Sequence, residues 1–251
     1  MNKVYKIVII CATAVSFLPC LIALYTLPPS IKVCHRSSPN LVECVRNSIE
    51  NIRPVLKTGD FGDGFRIDPI EPLDIQEIVI QRGPDFYVRQ YNLKAFGAVN
   101  FQLKKLRASF NPLKIEGIIE VPQIDANGLY DLDMKLGPLH LKGQGKVNAH
   151  INRLKLRIKI NGSKYIKDGE EFVKADNCVV AVKLEDLQLN FSDLFNGNKV
   201  LSDVGNQLIN DNIDLFIRDI EPSLEKSLAK KFLETANQVL EKAPFRIFLP
   251  D

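Results

Sequence analysis

Histidine, cysteine and clustered carboxylates are the side chains that could do chemistry in this chain, and their spacing argues against most of it. The three histidines are His35, His140 and His150. His140 and His150 fall on the polar side of alternating segments, opposite Leu139, Leu141, Val147, Ala149 and Ile151. No His or Cys run has zinc-ligand spacing, and the sequence contains no His-Glu-x-x-His pattern. Asp131 and Asp133 could pair as an acid and a base, yet strand alternation turns both to water as acidic surface. Gly162-Ser163 is followed by Lys164, so it makes no Gly-x-Ser-x-Gly nucleophile elbow. Gly62 and Gly64 have no Lys-Ser/Thr after them and no strand before them, which removes a phosphate loop. No converging set of polar groups can be assembled. The chain reads as no enzyme, with no metal and no other cofactor.

Charge excludes a second class of function. Lys plus Arg number 33 against 30 for Asp plus Glu, a net +3, whereas gripping a phosphate backbone calls for a concentrated cationic excess. Arg153, Lys155, Arg157 and Lys159 share one strand face with no aromatic residue between them to stack a base, so they read as solvated surface and not as a nucleic-acid site. At 45% hydrophobic and 25% charged, the composition is that of an ordinary globular domain.

Residues 1–25 carry Lys3 and Lys6, then an apolar run from Ile7 to Leu24 with small residues near its end. This is the pattern of a signal peptide over residues 1–23, with Ala23 the last residue removed and 24–251 a single secreted, extracellular domain. Pro19 and Pro28-Pro29 favour cleavage over a retained anchor, and no second long apolar run predicts stable membrane insertion. Cleavage takes Cys11 and Cys20 and leaves Cys34, Cys44 and Cys178. In an oxidising compartment Cys34 and Cys44 can close a small disulfide loop. Cys178, within Cys-Val-Val-Ala-Val, reads as an inert thiol in a buried strand. Asn161-Gly162-Ser163 and Asn190-Phe191-Ser192 are glycosylation sequons.

The elements that would position any site follow from periodicity. Leu41, Cys44, Val45, Ser48, Ile49, Ile52 and Leu56 recur at helical steps, which predicts an amphipathic helix ending at Gly59. Ile75 to Gln81 predicts a strand. Between Asp85 and Phe191 the period is two: Tyr130, Leu132, Met134 and Leu136 alternate with charged residues, as do Leu154, Leu156, Ile158 and Ile160. Turns are predicted at Asn111-Pro112, Asn127-Gly128, Gly137-Pro138, Asn161-Gly162 and Lys167-Asp168-Gly169, which makes the strands antiparallel neighbours. From Leu201 to Leu240 apolar residues return to helical spacing for about forty positions, a rod of about 60 Å that Pro222 should bend or interrupt. A rod this long is best buried along the oily face of the chain's own sheet, with the sheet curling round it.

The order of landmarks carries a resemblance. Cys34 and Cys44 flank the entry to the first helix. Asp68-Pro69-Ile70-Glu71-Pro72-Leu73 follows, then Tyr91-Asn92-Leu93-Lys94-Ala95-Phe96-Gly97, Gly128-Leu129-Tyr130, Gly137-Pro138-Leu139, Gly143-Gln144-Gly145 and the long terminal helix. In this order they resemble the takeout and juvenile-hormone-binding protein family of insects, over nearly the whole mature chain. The resemblance implies an α+β fold: a strongly curved antiparallel β-sheet wrapped around a long C-terminal helix, the TULIP-like α/β-wrap, in one elongated domain enclosing an apolar tunnel. It implies a secreted carrier of modest selectivity for a terpenoid, fatty acid, quinone or odorant-like molecule. Hormone-binding relatives carry a second disulfide for which Cys178 has no mature partner, so the takeout branch is the better likeness. On this reading Tyr130 is the polar group of the wall, and Phe86, Phe101, Phe110, Leu132, Met134, Phe191, Phe195 and Phe216 are candidate wall residues. The chain would be a monomer, with a receptor or odorant-binding protein as a further partner. The alternatives are a partner-binding protein with a collapsed tunnel and a lipid-transfer module that docks on membranes.

Overall fold

The computed structural model describes residues 26–136 and 139–251. The expected signal peptide, Cys11, Cys20 and the Gly137-Pro138 turn lie outside the described residues. Helix α1, Leu41–Thr58, ends at Gly59 as its spacing predicts. Seven strands follow: β1 Leu73–Gln81, β2 Phe86–Phe96, β3 Gln102–Phe110, β4 Leu113–Val121, β5 Ile124–Leu136, β6 Leu139–Lys167 and β7 Glu170–Phe191. The chain then closes with α2 Lys199–Asp211, α3 Ile213–Leu240 and the short α4 Phe245–Phe248.

All strand pairs are antiparallel, and β6 is their spine. Residues 139–151 of β6 pair with β5, residues 154–162 pair with β4, and β7 pairs along the opposite edge from Val147 to Lys167. Beyond β5 lie β2 and β1, and beyond β4 lies β3. Straight, the 29 residues of β6 would run about 96 Å, against about 42 Å for the 28 residues of α3. A strand this long serves both halves of the sheet in turn, and the curvature expected of the sheet is present. The inward side also changes parity where β5 gives way to β4. Val147, Ala149 and Ile151 face in before that point, and Leu154, Leu156 and Ile158 face in after it. On β7 the same change falls between Leu187 and Leu184, beside Asp186 with φ of 49°.

Two of the predicted turns lie inside strands. Asn127-Gly128 is within β5, where its partner β2 slips register between Tyr91 and Lys94. A Cβ on Gly128 would stand 2.8 Å from the Leu93 side chain and 3.0 Å from the Tyr91 carbonyl, so glycine serves close approach at a bulge rather than a reversal. Asn161-Gly162 lies within β6 at a second register shift, and a Cβ on Gly162 would meet the Lys174 carbonyl oxygen at 2.3 Å. Asn111-Pro112 and Lys167-Asp168-Gly169 do reverse the chain.

The terminal rod differs from its prediction in where it breaks. Pro222 is carried inside α3, and the interruption falls at Asn212. A proline removes one backbone donor, which packing on both sides can outweigh. At Asn212 the backbone leaves helical geometry, with φ −116° and ψ 27°, and its Nδ2 donates to the Leu208 carbonyl at 2.8 Å to finish α2.

One apolar core runs along the sheet's inner side and takes in Phe216, Ile220, Leu224 and Leu228 of α3. At the end reached by the β3–β4 and β6–β7 turns, a smaller cluster gathers Cys34, Leu113, Val173, Phe245 and Leu249. The Cys34–Cys44 disulfide is formed there and ties the entering chain to α1. Cys178 is free and buried on β7.

Candidate functional site

A sheet that curls without closing leaves edges at β1, β3 and β7, and α2 and α3 lie in the gap between β1 and β7. Asn206 of α2 accepts from the Phe191 N–H at 2.8 Å and donates to the Phe191 carbonyl at 2.9 Å. Asn210 does the same for Leu189, at 2.9 and 2.7 Å. Asn237 of α3 repeats the pattern at Ala175, at 2.8 and 3.0 Å. Glu225 accepts from the Val182 N–H at 2.9 Å. Each carboxamide thus stands in for the peptide of a missing neighbouring strand and keeps the β7 edge from pairing elsewhere. On the β1 side the contacts are lighter: Ser223 and Ser227 donate to the Val79 and Glu77 carbonyls at 3.0 and 3.3 Å.

At the end formed by the β1–β2 turn and the start of α3, this seam opens into a pocket of about 280 Å³. Phe86, Leu136, Leu215 and Phe216 line it, together with Arg82, Arg218 and Asp219. Arg82 and Asp219 form an ion pair across it, the carboxylate buried and the guanidinium exposed. Phe216 belongs to the main core and Phe86 and Leu136 pack against that core, so the pocket's apolar wall is continuous with it. A larger groove, about 660 Å³, lies elsewhere, where Asp125, Asn148, His150 and Gln188 alternate with Ala126, Ala149, Leu187 and Leu189. Size alone would favour the groove. The two phenylalanines of the small pocket favour it for an apolar ligand.

The predicted wall residues separate into distinct places. Phe86 and Phe216 line the pocket. Tyr130, Leu132 and Met134 on β5 are wholly buried, and Phe191 is nearly so. Met134 is the register partner of Phe86 and therefore stands directly beside the pocket. The Tyr130 hydroxyl donates to the Ser192 carbonyl, and its ring meets Phe191 edge-on at 4.8 Å. Burial, with Asp193 adding to it, pushes the Tyr130 pKa up to about 12. Phe195 is half-buried against the same core. Phe101 is buried beneath the Arg53 guanidinium, 4.4 Å from its ring centre. Phe110 lies in the far cluster beside Phe245, at 6.3 Å.

Sequence reading missed three features of this site. Arg82 and Asp219 are far apart in the chain, and nothing local announces their pairing. Gln90 sits in an inward row and looked like one more polar residue of an alternating strand. Asn206 and Asn210 did leave a signal, since two asparagines four apart on an amphipathic helix share a face. Among the described residues no group of His, Cys, Asp or Glu is placed to hold a metal ion, and no helix is long and apolar enough to cross a membrane.

The fold and the pocket together define a helix-sealed β-wrap with an apolar interior. The chain belongs to the haemolymph juvenile hormone binding protein (JHBP) family, whose profile matches residues 7–250. It is similar to the circadian clock-controlled protein daywake of Drosophila melanogaster, 22% identical over 194 residues, covering 73% of this chain and 75% of that one. The Drosophila yakuba daywake protein is 20% identical with the same coverage. Among solved structures, Takeout 1 of Epiphyas postvittana shares the fold with a TM-score of 0.75 at 17% identity, over 88% of this chain and 100% of that one.

Proposed function

We propose that this protein is a secreted carrier that holds a hydrophobic small molecule of the terpenoid, fatty acid, quinone or odorant-like kind between its helix and its sheet. Family membership supports the reading. The observation that carries it is the pocket whose apolar lining, Phe86, Leu136 and Phe216, runs on into the main core. Its 280 Å³ lies near the lower bound of about 300 to 1,000 Å³ usual for small-molecule sites. A longer ligand therefore has to displace core side chains. Met134 is suited to this, being unbranched and adaptable, and it stands beside Phe86. Binding is driven by removing the ligand's apolar surface from water, at about 25 cal/mol per Å², against the loss of its freedom. No catalytic role is assigned to any residue.

Export fits the same reading, with residues 1–23 removed, 24–251 forming one domain, and the Cys34–Cys44 bond suited to an oxidising compartment. The sequon residues Asn161 and Asn190 are exposed and open to glycosylation. Organic extraction of protein secreted from insect cells, followed by mass spectrometry, should recover a lipid in near-stoichiometric amount. Protein that yields none from several sources, and that binds no apolar probe, would rule the carrier out.

One observation favours a second reading, surface docking. Val200, Leu201 and Val204 are exposed on α2. Flotation with liposomes separates the two, since a freely diffusing carrier stays with the soluble fraction.

A further inference from the structure

Gln90 and Asp219 are the buried polar or charged side chains among the described residues. Asp219 has Arg82 for a partner. The Gln90 carboxamide has no hydrogen-bond partner among the described residues, although Gln90 is only 7% exposed. It is also not sealed off: among the described residues the one fully enclosed, unpartnered side-chain atom is Ser30 Oγ. The Gln90 side chain therefore keeps a small accessible surface. On the sheet it is held between Ile78 of β1 and Tyr130 of β5, and it shares the inward row of Val88. Ile78 and Tyr130 are themselves buried, so Gln90 faces the inner side of the sheet. Gln90 lies four residues along β2 from Phe86 at the pocket, about 13 Å deeper.

We infer that Gln90 is the residue that selects the ligand, by hydrogen-bonding a neutral oxygen on an otherwise apolar molecule. This rests on the carrier reading and narrows it to esters, ketones and alcohols. A carboxamide offers an N–H to a carbonyl or ether oxygen and a carbonyl to a hydroxyl. A buried amide left unpaired is costly, so a ligand that pairs it gains over one that cannot. Tyr130, its neighbour on β5, already gives its proton to the Ser192 carbonyl. A carboxylate can accept the same N–H but loses more on leaving water, because no buried cation exists among the described residues to offset its charge.

The test compares dodecane, methyl dodecanoate and dodecanoate as competitors of the apolar dye N-phenyl-1-naphthylamine, with the full mature chain and its Gln90→Leu and Gln90→Met variants. The wild type should bind the ester at least tenfold more tightly than the hydrocarbon, and more tightly than the carboxylate. Both variants should lose the preference, keep hydrocarbon binding, and melt no lower than wild type, because they remove an unpaired polar group from the core. A wild type without the preference, or variants that retain it, would overturn the role of Gln90 and leave the carrier standing. A wild type that binds neither dye nor competitor would overturn the carrier and this inference together. Variants that both fail to fold would show the amide to be structural, and would also overturn the inference.

Discussion

Asn206 holds the backbone of Phe191 by both its N–H and its carbonyl, at 2.8 and 2.9 Å, as a neighbouring strand would. Removing that carboxamide leaves two edge groups of β7 without partners. Asn206→Ala should therefore cost about 2 kcal/mol, on the basis of about 1 to 3 kcal/mol for a buried group left unsatisfied. Asn206→Asp should be no milder, since it keeps an acceptor for the N–H but sets a second oxygen against the carbonyl. Denaturant unfolding of the variants measures this, and a loss under about 0.5 kcal/mol would show that water replaces the latch.

Arg82 and Asp219 predict an order of effects. The Arg82 side chain is 63% exposed and the Asp219 side chain 6%. Arg82→Ala strands a buried carboxylate, whereas Asp219→Leu removes the charge that needed a partner. Arg82→Ala should be the more destabilising of the two, by about 1 kcal/mol after allowing for screening of the exposed arginine. The pair also spans the pocket, so ligand uptake by wild type should quicken with added salt, while Arg82→Ala should start faster and respond less. Thermal melts and stopped-flow dye uptake read the two parts separately.

Cys178 should be silent in the native protein. Burial pushes its pKa from 9.0 up to about 11, so almost none is thiolate at neutral pH. With Cys34 and Cys44 joined, a chain lacking residues 1–23 should show no reactive thiol when folded and one when unfolded without reductant. The sign for stability follows from the direction of the shift. The unfolded thiol ionises from about pH 9 while the folded one stays protonated, so this group's contribution falls as pH rises from 9 toward 11. Unfolding of a Cys178→Ala variant should lack that part of the alkaline loss.

His150 and Asp125 form an exposed pair at 2.6 Å. The hydrogen bond to Asp125, aided by Asn152, raises the His150 pKa above its ordinary 6.5, and the same bond lowers that of Asp125 below 3.8. The pair is fully charged between those two values. Its contribution fades as pH rises through the raised histidine pKa or falls through the lowered aspartate pKa. Asp125→Asn should return the His150 titration toward 6.5, which an NMR pH series would follow. An unchanged midpoint would mean that Asn152 holds the ring unaided.

What was legible in the sequence was local. The alternation of Tyr130, Leu132 and Met134 identifies the inward side of β5, all three being wholly buried, and the helical spacing from Leu41 to Leu56 identifies α1 within two residues. What was not legible depends on a distant partner. Gly162 looks like a turn until Lys174, on the strand beside it, is found where its Cβ would be. Pro222 looks like a break because local propensity cannot see the packing of Ile220 and Leu224 on either side of it. For the site, Phe86 and Phe216 were within reach as large apolar residues of the right faces. Arg82 with Asp219, and the unpaired state of Gln90, appear only once β1, β2 and α3 are brought together.

The two rims of the wrap are fastened unequally. Three asparagines grip β7 by donor and acceptor alike, while β1 is held by two serine hydroxyls that touch only carbonyls. Apart from the Arg82–Asp219 pair at its end, the β1 margin is thus the weaker seam, and an opening there would run along the β1–β2 hairpin. Cargo should come and go beneath that hairpin.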